Sequence, residues 1–174
     1  MARGKVHKLE ERDLRFTFPG ANGARHFDSE VKEHRGSMSA VDFIIDYPTF
    51  DLFVEVKDPD VPSATPERRA KFVAKLNSDV LITSLVRKYR DSWIYRWAEG
   101  HRDKPINYAV LLQLGTLDHA QMIGLVDRLG AELPKDRAPT WTQGFVSHVA
   151  FFNMTAWNRF GRYGQVQRIS ALGS

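Results

Sequence analysis

Asp42, Glu55 and Lys57 are ionisable residues that stand where hydrophobic side chains are expected. They interrupt two strand-like apolar runs within residues 40–58, which flank a short turn containing a proline. Successive side chains of a strand point to opposite faces, so Glu55 and Lys57 are expected to point the same way. Burying an unpaired charge is expensive. The pattern therefore predicts that these charges pair together, face a cleft or hold a metal.

The spacing of the two runs predicts a hairpin that brings carboxylates together. With residues 47–50 as the turn, Asp46 faces Asp51 and Asp42 falls opposite Glu55. Facing residues of an antiparallel pair have Cβ atoms roughly 5 Å apart. Carboxylates at that distance repel unless a proton or a cation lies between them, and Mg²⁺ is a common solution. The alternative is an exposed Glu–Lys pair that contributes less than about 1 kcal/mol.

The charged positions resemble the motif of the PD-(D/E)XK nuclease superfamily. Val41-Asp42 is followed, after twelve residues, by Glu55-Val56-Lys57 on a hydrophobic run, and Val41 replaces the proline of the motif's name. The resemblance covers residues 40–115 and extends to small bacterial proteins with this core. It implies an α/β domain of the restriction-endonuclease-like type, with a mixed central β-sheet flanked by helices, over residues 1–174.

The resemblance also implies a chemistry for these residues. Asp42 and Glu55 would each give a carboxylate oxygen to Mg²⁺ or Mn²⁺, with the Val56 carbonyl as a third ligand. Lys57 would orient the water that attacks a phosphodiester and help it to lose a proton. Lysine suits this role because, unlike arginine, it can give up its proton when buried.

Further residues are candidates for the same cleft. Many such nucleases carry another acid on the helix before the hairpin, and the alternative for each candidate is an ordinary surface residue. The candidate acids are Glu10, Glu11 and Glu30, with Glu33 as a competitor, and the candidate histidines are His26 and His34.

Basic residues provide candidate contacts to nucleic acid. The net charge is +4, and residues 67–104 hold ten Lys or Arg against five acids. Such a cluster suits phosphate binding, although a solvated helix face explains it equally well. The candidates are Lys88 and Arg90 on a helix and Arg159 and Arg162 near the C-terminus.

Periodicity and turn signals predict the remaining elements. The charged N-terminal segment is predicted to form a short helix over residues 8–14. Thr65-Pro66 is a good helix start. After it we expect helical structure to Gly100, with residues 77–79 either breaking the segment or forming an exposed part of it. We then expect a buried strand over 108–114, a helix to Leu133, a strand over 145–152, a helix over 155–160 and an edge strand over 166–170.

Composition limits the cellular setting. Zero cysteines exclude disulfides and thiolate metal sites, which fits a reducing cytoplasm. No apolar run approaches the roughly 18 residues that a membrane helix needs. We therefore expect a cytoplasmic protein without a membrane partner.

The function predicted from these features is metal-dependent hydrolysis of nucleic acid, with DNA favoured over RNA. The alternative is a non-catalytic protein of the same fold that binds nucleic acid or a partner protein. Hydrolysis of a small phosphate compound is disfavoured because the sequence has no Gly-rich phosphate loop. A catalytic core of this length would need a second copy or a partner protein to gain sequence specificity.

Overall fold

The computed structural model describes residues 6–101, 103–134, 139–142 and 144–172. The elements in chain order are β1 (Val6–Glu11), β2 (Leu14–Pro19), β3 (Gly23–His26), α1 (Phe27–Val31), β4 (Phe43–Asp46), β5 (Asp51–Lys57), α2 (Pro66–Leu76), α3 (Val80–Ala98), β6 (Ile106–Leu112), α4 (His119–Glu132), β7 (His148–Phe152), α5 (Met154–Phe160) and β8 (Gln165–Arg168), before a 3₁₀ turn over Ser170–Leu172.

The central sheet is mixed and has five strands in the order β3-β4-β5-β6-β7. The first three strands are antiparallel, whereas β5, β6 and β7 are parallel. Parallel neighbours need a crossover connection, which α2 and α3 supply between β5 and β6, and α4 supplies between β6 and β7. The predicted α/β class, with a mixed sheet flanked by helices, is confirmed.

A second sheet, with strand order β1-β2-β8, is built largely from the N-terminal segment. The predicted helix over residues 8–14 is therefore wrong. Leu14, Phe16 and Phe18 alternate with more exposed residues and are fully buried, and this period of two is typical of a strand with one buried face. The predicted C-terminal edge strand is confirmed as β8, which pairs with β2.

The central sheet separates two hydrophobic clusters. One cluster contains Phe53 and the buried side chains of α3 and α4, and the other contains Val54, Val56 and the buried side chains of β2. Alternate residues of β5 thus face opposite layers, so Glu55 lies on the same face as Phe53, beneath α3. The helix that precedes the hairpin is α1, not the N-terminal segment.

Local signals fix the helices that flank the site. Thr65 caps α2 by accepting a hydrogen bond from the Arg68 N–H at 3.3 Å, with Pro66 in the first turn, as predicted. Asp118 and Gln121 form a capping box at the start of α4. Among the described helices, none is long and apolar enough to span a membrane.

Candidate functional site

The β4–β5 hairpin has the predicted register, and it places Asp42 beside the carboxyl end of β5. Asp46 pairs with Asp51 across the strands. Asp42 lies just before β4, and its Oδ2 accepts a hydrogen bond from the Val56 N–H at 2.7 Å. Through this bond, the Asp42 side chain continues the hydrogen bonding between β4 and β5 beyond the end of β4. The bond holds the Asp42 carboxylate next to Glu55.

Glu55 is the centre of the charged cluster. Its side chain has no exposed surface, and its Oε1 accepts hydrogen bonds from Lys57 Nζ at 2.5 Å and from Lys88 Nζ at 2.7 Å. Lys88 Nζ also lies 3.7 Å from Asp42 Oδ1. The structure therefore brings Asp42, Glu55 and Lys57 together on one face of the sheet.

Lys88 is the member of this cluster that sequence reasoning did not assign to it. It was predicted to contact phosphate, but its side chain is only 22% exposed and turns inward from α3. The signal was available in the spacing, because Leu81, Leu85, Lys88 and Ser92 follow the 3.6-residue period of one helix face. The other three of these residues are buried, so a lysine on this stripe indicates a buried acidic partner.

Burial and charge shift the ionisation of the cluster. Burial, followed by repulsion from Asp42, raises the pKa of Glu55, although Lys57 and Lys88 oppose that rise. Burial alone would lower the pKa of Lys88, but attraction to Glu55 and Asp42 outweighs burial and raises the pKa. The two acids and two lysines compensate one another when all are charged.

Two carboxylates and one backbone carbonyl of the cluster are candidate ligands for a divalent cation. Within the described chain, Glu55 Oε2 is buried and has no hydrogen-bond partner. The Val56 carbonyl points to the same strand edge as its own N–H, and that N–H is bonded to Asp42. The described residues contain no group of three or more His, Cys, Asp or Glu placed to hold a metal. Two carboxylates, one carbonyl and retained waters would therefore be the ligand set, as Mg²⁺ tolerates.

The predicted additional acids do not join the cluster. Each has a partner elsewhere: Glu10 pairs with Arg15, Glu11 with His26, and Glu30 with Arg25. Glu33 and His34 are exposed. The acid of α1 that acts on the cluster is Asp28, which contributes to raising the pKa of Lys88 and pairs with Arg35 at 2.5 Å.

The other predicted nucleic-acid contacts lie apart from the cluster. Arg90 is exposed on α3, and Arg159 is exposed in the last turn of α5. The Arg162 guanidinium lies 5.0 Å from the ring centroid of Phe50. Phe50 belongs to the turn before β5. Seven residues of strand, at about 3.3 Å each, separate that turn from Lys57.

A basic groove, which we call the α2 groove, opens beside Lys57. Its volume is about 720 Å³, and the side chains that line it include Arg12, Lys57, Arg68, Lys71, Phe72 and Lys75. Asp58 also lines it but is bound by both terminal nitrogens of Arg168 at 2.6 and 2.9 Å. Successive side chains of a strand point to opposite faces, so Asp58 points away from Glu55 and towards Arg168. The groove therefore presents mainly positive charge next to the cluster.

A second charged cluster lies at the opposite end of the same hairpin. There the facing carboxylates of Asp46 and Asp51 contact Lys104, and Asp51 also contacts Arg96 at 3.4 Å. Its pocket has a volume of about 50 Å³.

Comparison with known proteins adds no relative, since no protein-family model, curated protein or solved structure matches this chain.

Proposed function

We propose that the protein is a divalent-metal-dependent nuclease that hydrolyses phosphodiester bonds, with DNA as the favoured substrate. The observation that carries this proposal is Glu55, a fully buried carboxylate with one oxygen bonded to two lysines and the other without a partner in the described chain. A buried, unpartnered carboxylate oxygen is costly, and a bound cation would satisfy it.

The residues of the cluster have different parts in this proposal. Asp42, Glu55 and the Val56 carbonyl would hold Mg²⁺ or Mn²⁺, which supplies charge stabilisation to a reacting phosphate. Lys57 lines the α2 groove, so it can reach a water beside a bound phosphodiester and orient it. Lys88 is bonded to Glu55 from the helix side and would hold that carboxylate in position.

The proposal is tested by cleavage of labelled single- and double-stranded DNA and RNA with Mg²⁺, Mn²⁺ or EDTA. Lys57→Ala should lower the cleavage rate by roughly 10²–10⁴-fold, the usual contribution of proton transfer by a positioned side chain, while circular dichroism stays unchanged. Lys104→Ala is the matched control, because Lys104 also neutralises facing carboxylates of this hairpin. Cleavage by Lys57→Ala at the wild-type rate would refute the role of Lys57.

The second candidate function is a non-catalytic nuclease-fold protein that binds nucleic acid or a partner protein. The observation in its favour is charge balance, since Lys57 and Lys88 already compensate Asp42 and Glu55 without a metal. Metal binding without metal-dependent cleavage of any substrate in the panel would favour this candidate over the nuclease.

A further inference from the structure

The wall of the α2 groove formed by α2 carries three exposed cations on one helix face. Arg68, Lys71 and Lys75 are separated by three and four residues and all line the groove. Among the described residues, none of the three has an acidic partner within 4.0 Å. Like charges four residues apart destabilise a helix. This arrangement of charges lowers the stability of α2 and favours the binding of an external anion.

Arg69, on the same helix, shows the contrast. It lies outside the groove lining, and its guanidinium pairs with Asp60 at 2.9 Å. This pair joins α2 to the loop that follows β5. The basic character of the helix therefore has two parts, one that anchors the helix to the domain and one that faces the groove without a partner.

The lining of the groove also includes Arg12, which has an unfavourable backbone conformation. Arg12 has φ +54°, and it is the single non-glycine residue with positive φ in the described chain. An L-residue in this left-handed region costs free energy that glycine does not. Its closest acidic contact is loose, at 3.8 Å to Glu11, and its side chain lines the groove. Local ion pairing does not explain why a long basic side chain occupies this turn.

The groove also contains an aromatic surface. Phe72 is half-buried in the wall between the cations of α2, and Lys57 lies at the end that meets the Glu55 cluster. A positively charged groove with an aromatic side chain is the combination that proteins use to bind single strands, because phosphates follow the charge and bases stack on the ring. The volume of about 720 Å³ is in the range of pockets that enclose a small ligand. The bases of a duplex are stacked on one another and are not available to the ring, so the combination favours a single strand.

We propose that the α2 groove binds a single-stranded segment of nucleic acid, with phosphates on Arg12, Arg68, Lys71 and Lys75 and a base against Phe72. The proposal rests on the proposed nuclease function in one respect, namely that the bound strand would run along the groove towards Lys57. Binding itself requires neither metal nor cleavage, so the two proposals can fail separately.

The test measures binding of a fluorescein-labelled single-stranded DNA oligonucleotide by anisotropy in EDTA. Four phosphate contacts predict a slope of log affinity against log salt of about −3, and Arg68→Gln/Lys71→Gln/Lys75→Gln should reduce its magnitude by about 2. That variant should bind on the order of 10²-fold more weakly at about 50 mM salt. A duplex of the same sequence should bind more weakly than the single strand.

The charge-matched control is Lys8→Gln/Lys32→Gln/Arg87→Gln. It removes three exposed cations that do not line the groove, so wild-type affinity is expected. Equal losses in the two triple variants would show that net charge alone attracts the DNA and would overturn the proposal, as would equal affinity for the duplex. Metal-dependent cleavage by the wild type and by the two triple variants is measured in parallel. Loss of cleavage with retained binding, or the reverse, then separates this proposal from the nuclease proposal.

Arg12→Gly gives a test that a purely structural role would fail. Glycine relieves the positive φ, so the melting temperature should rise by about 2–4 °C. Single-strand affinity should fall at the same time, because one phosphate contact is lost. A more stable variant with unchanged affinity and salt slope would remove Arg12 from the proposed site.

Discussion

The two ends of the β4–β5 hairpin face the same electrostatic problem and solve it differently. At the turn end, Asp46 faces Asp51; at the other end, Asp42 lies beside Glu55. Each end has two cations for its two carboxylates. The cations are Arg96 and Lys104 at the turn end, and Lys57 and Lys88 at the other.

At the turn end, the carboxylates belong to a network of ion pairs with little adjoining space. Arg96 is almost fully buried and also contacts Glu99, which in turn contacts Arg25. Lys104 bonds the Tyr47 carbonyl as well as Asp46. Arginine remains protonated in proteins, and its planar fork suits buried ion pairs. This end therefore resembles a structural clamp with about 50 Å³ of adjoining space.

At the Glu55 end, one carboxylate oxygen has no partner in the described chain and a large groove adjoins the cluster. Both lysines donate to one oxygen, Glu55 Oε1, which leaves Oε2 without a partner in the described chain. The cations are lysines, whose protonation can change, and the adjoining groove is about 720 Å³. Charge neutralisation alone thus does not distinguish a clamp from a site. An unpartnered oxygen does not either, since Asp51 Oδ1 at the turn end is also buried without a hydrogen bond. The two ends differ in the absence of an arginine at the Glu55 end and in the size of the neighbouring space.

The largest expected effect is on stability, at the turn end. Arg96→Met should lower the free energy of unfolding by about 3–5 kcal/mol. It removes a buried arginine that serves both Asp51 and Glu99, and leaves Asp51 with only the distant Lys104 at 3.7 Å. Lys88→Met should cost less, about 1–2 kcal/mol, because Lys57 remains on Glu55 and this carboxyl, whose pKa is already raised, can take up a proton. Urea denaturation of both variants checks this order. A loss for Lys88→Met as large as that for Arg96→Met would mean that both ends are clamps.

The next effect concerns metal binding, which should be confined to the Glu55 end. Mn²⁺ at one hundred times its Kd should stabilise the wild type by about 2.7 kcal/mol, measured as a rise in melting temperature. Glu55→Gln should remove this response, since the amide cannot supply a charged ligand. Asp51→Asn is the matched control at the turn end and should keep it. A response that survives Glu55→Gln but not Asp51→Asn would move the metal to the other end of the hairpin.

Local patterns predicted the hairpin but not the whole cluster. The period of two and the short turn fix which residues of β5 share a face, and the Asp46–Asp51 register followed from the turn length alone. Lys88 and Asp28 approach through tertiary packing, from helices outside the hairpin, which spacing within the hairpin cannot reveal.

The N-terminal strands were missed for a different reason. The turn between β1 and β2 places Arg12 at positive φ, where glycine or asparagine is the usual signal. Without that signal, the dense charges of β1 are typical of a surface helix. The alternation of Leu14, Phe16 and Phe18 was the available evidence for a strand.

The smallest expected effect is the pH dependence of the metal response. The pKa of Glu55 is raised above its ordinary value of 4.5, so without metal the folded state holds this proton more tightly than the unfolded chain does. The stability from that proton is fully present below pH 4.5 and is lost as the pH rises through the folded-state pKa. A metal requires the ionised carboxylate, so its stabilising effect should change in the opposite direction. Between pH 4.5 and the folded-state pKa of Glu55, the free energy of stabilisation by the metal should increase by up to about 1.4 kcal/mol per pH unit.

Melting curves with Mn²⁺ and with EDTA, from below pH 4.5 to about pH 8, check this prediction. The difference between the two curves should increase with pH in the wild type and in Asp51→Asn, because both retain Glu55. It should be absent throughout in Glu55→Gln. A wild-type metal response that is constant across this range would show that the metal does not compete with a proton on Glu55. The unpartnered oxygen would then be a feature of the packing beneath α3 and not a ligand.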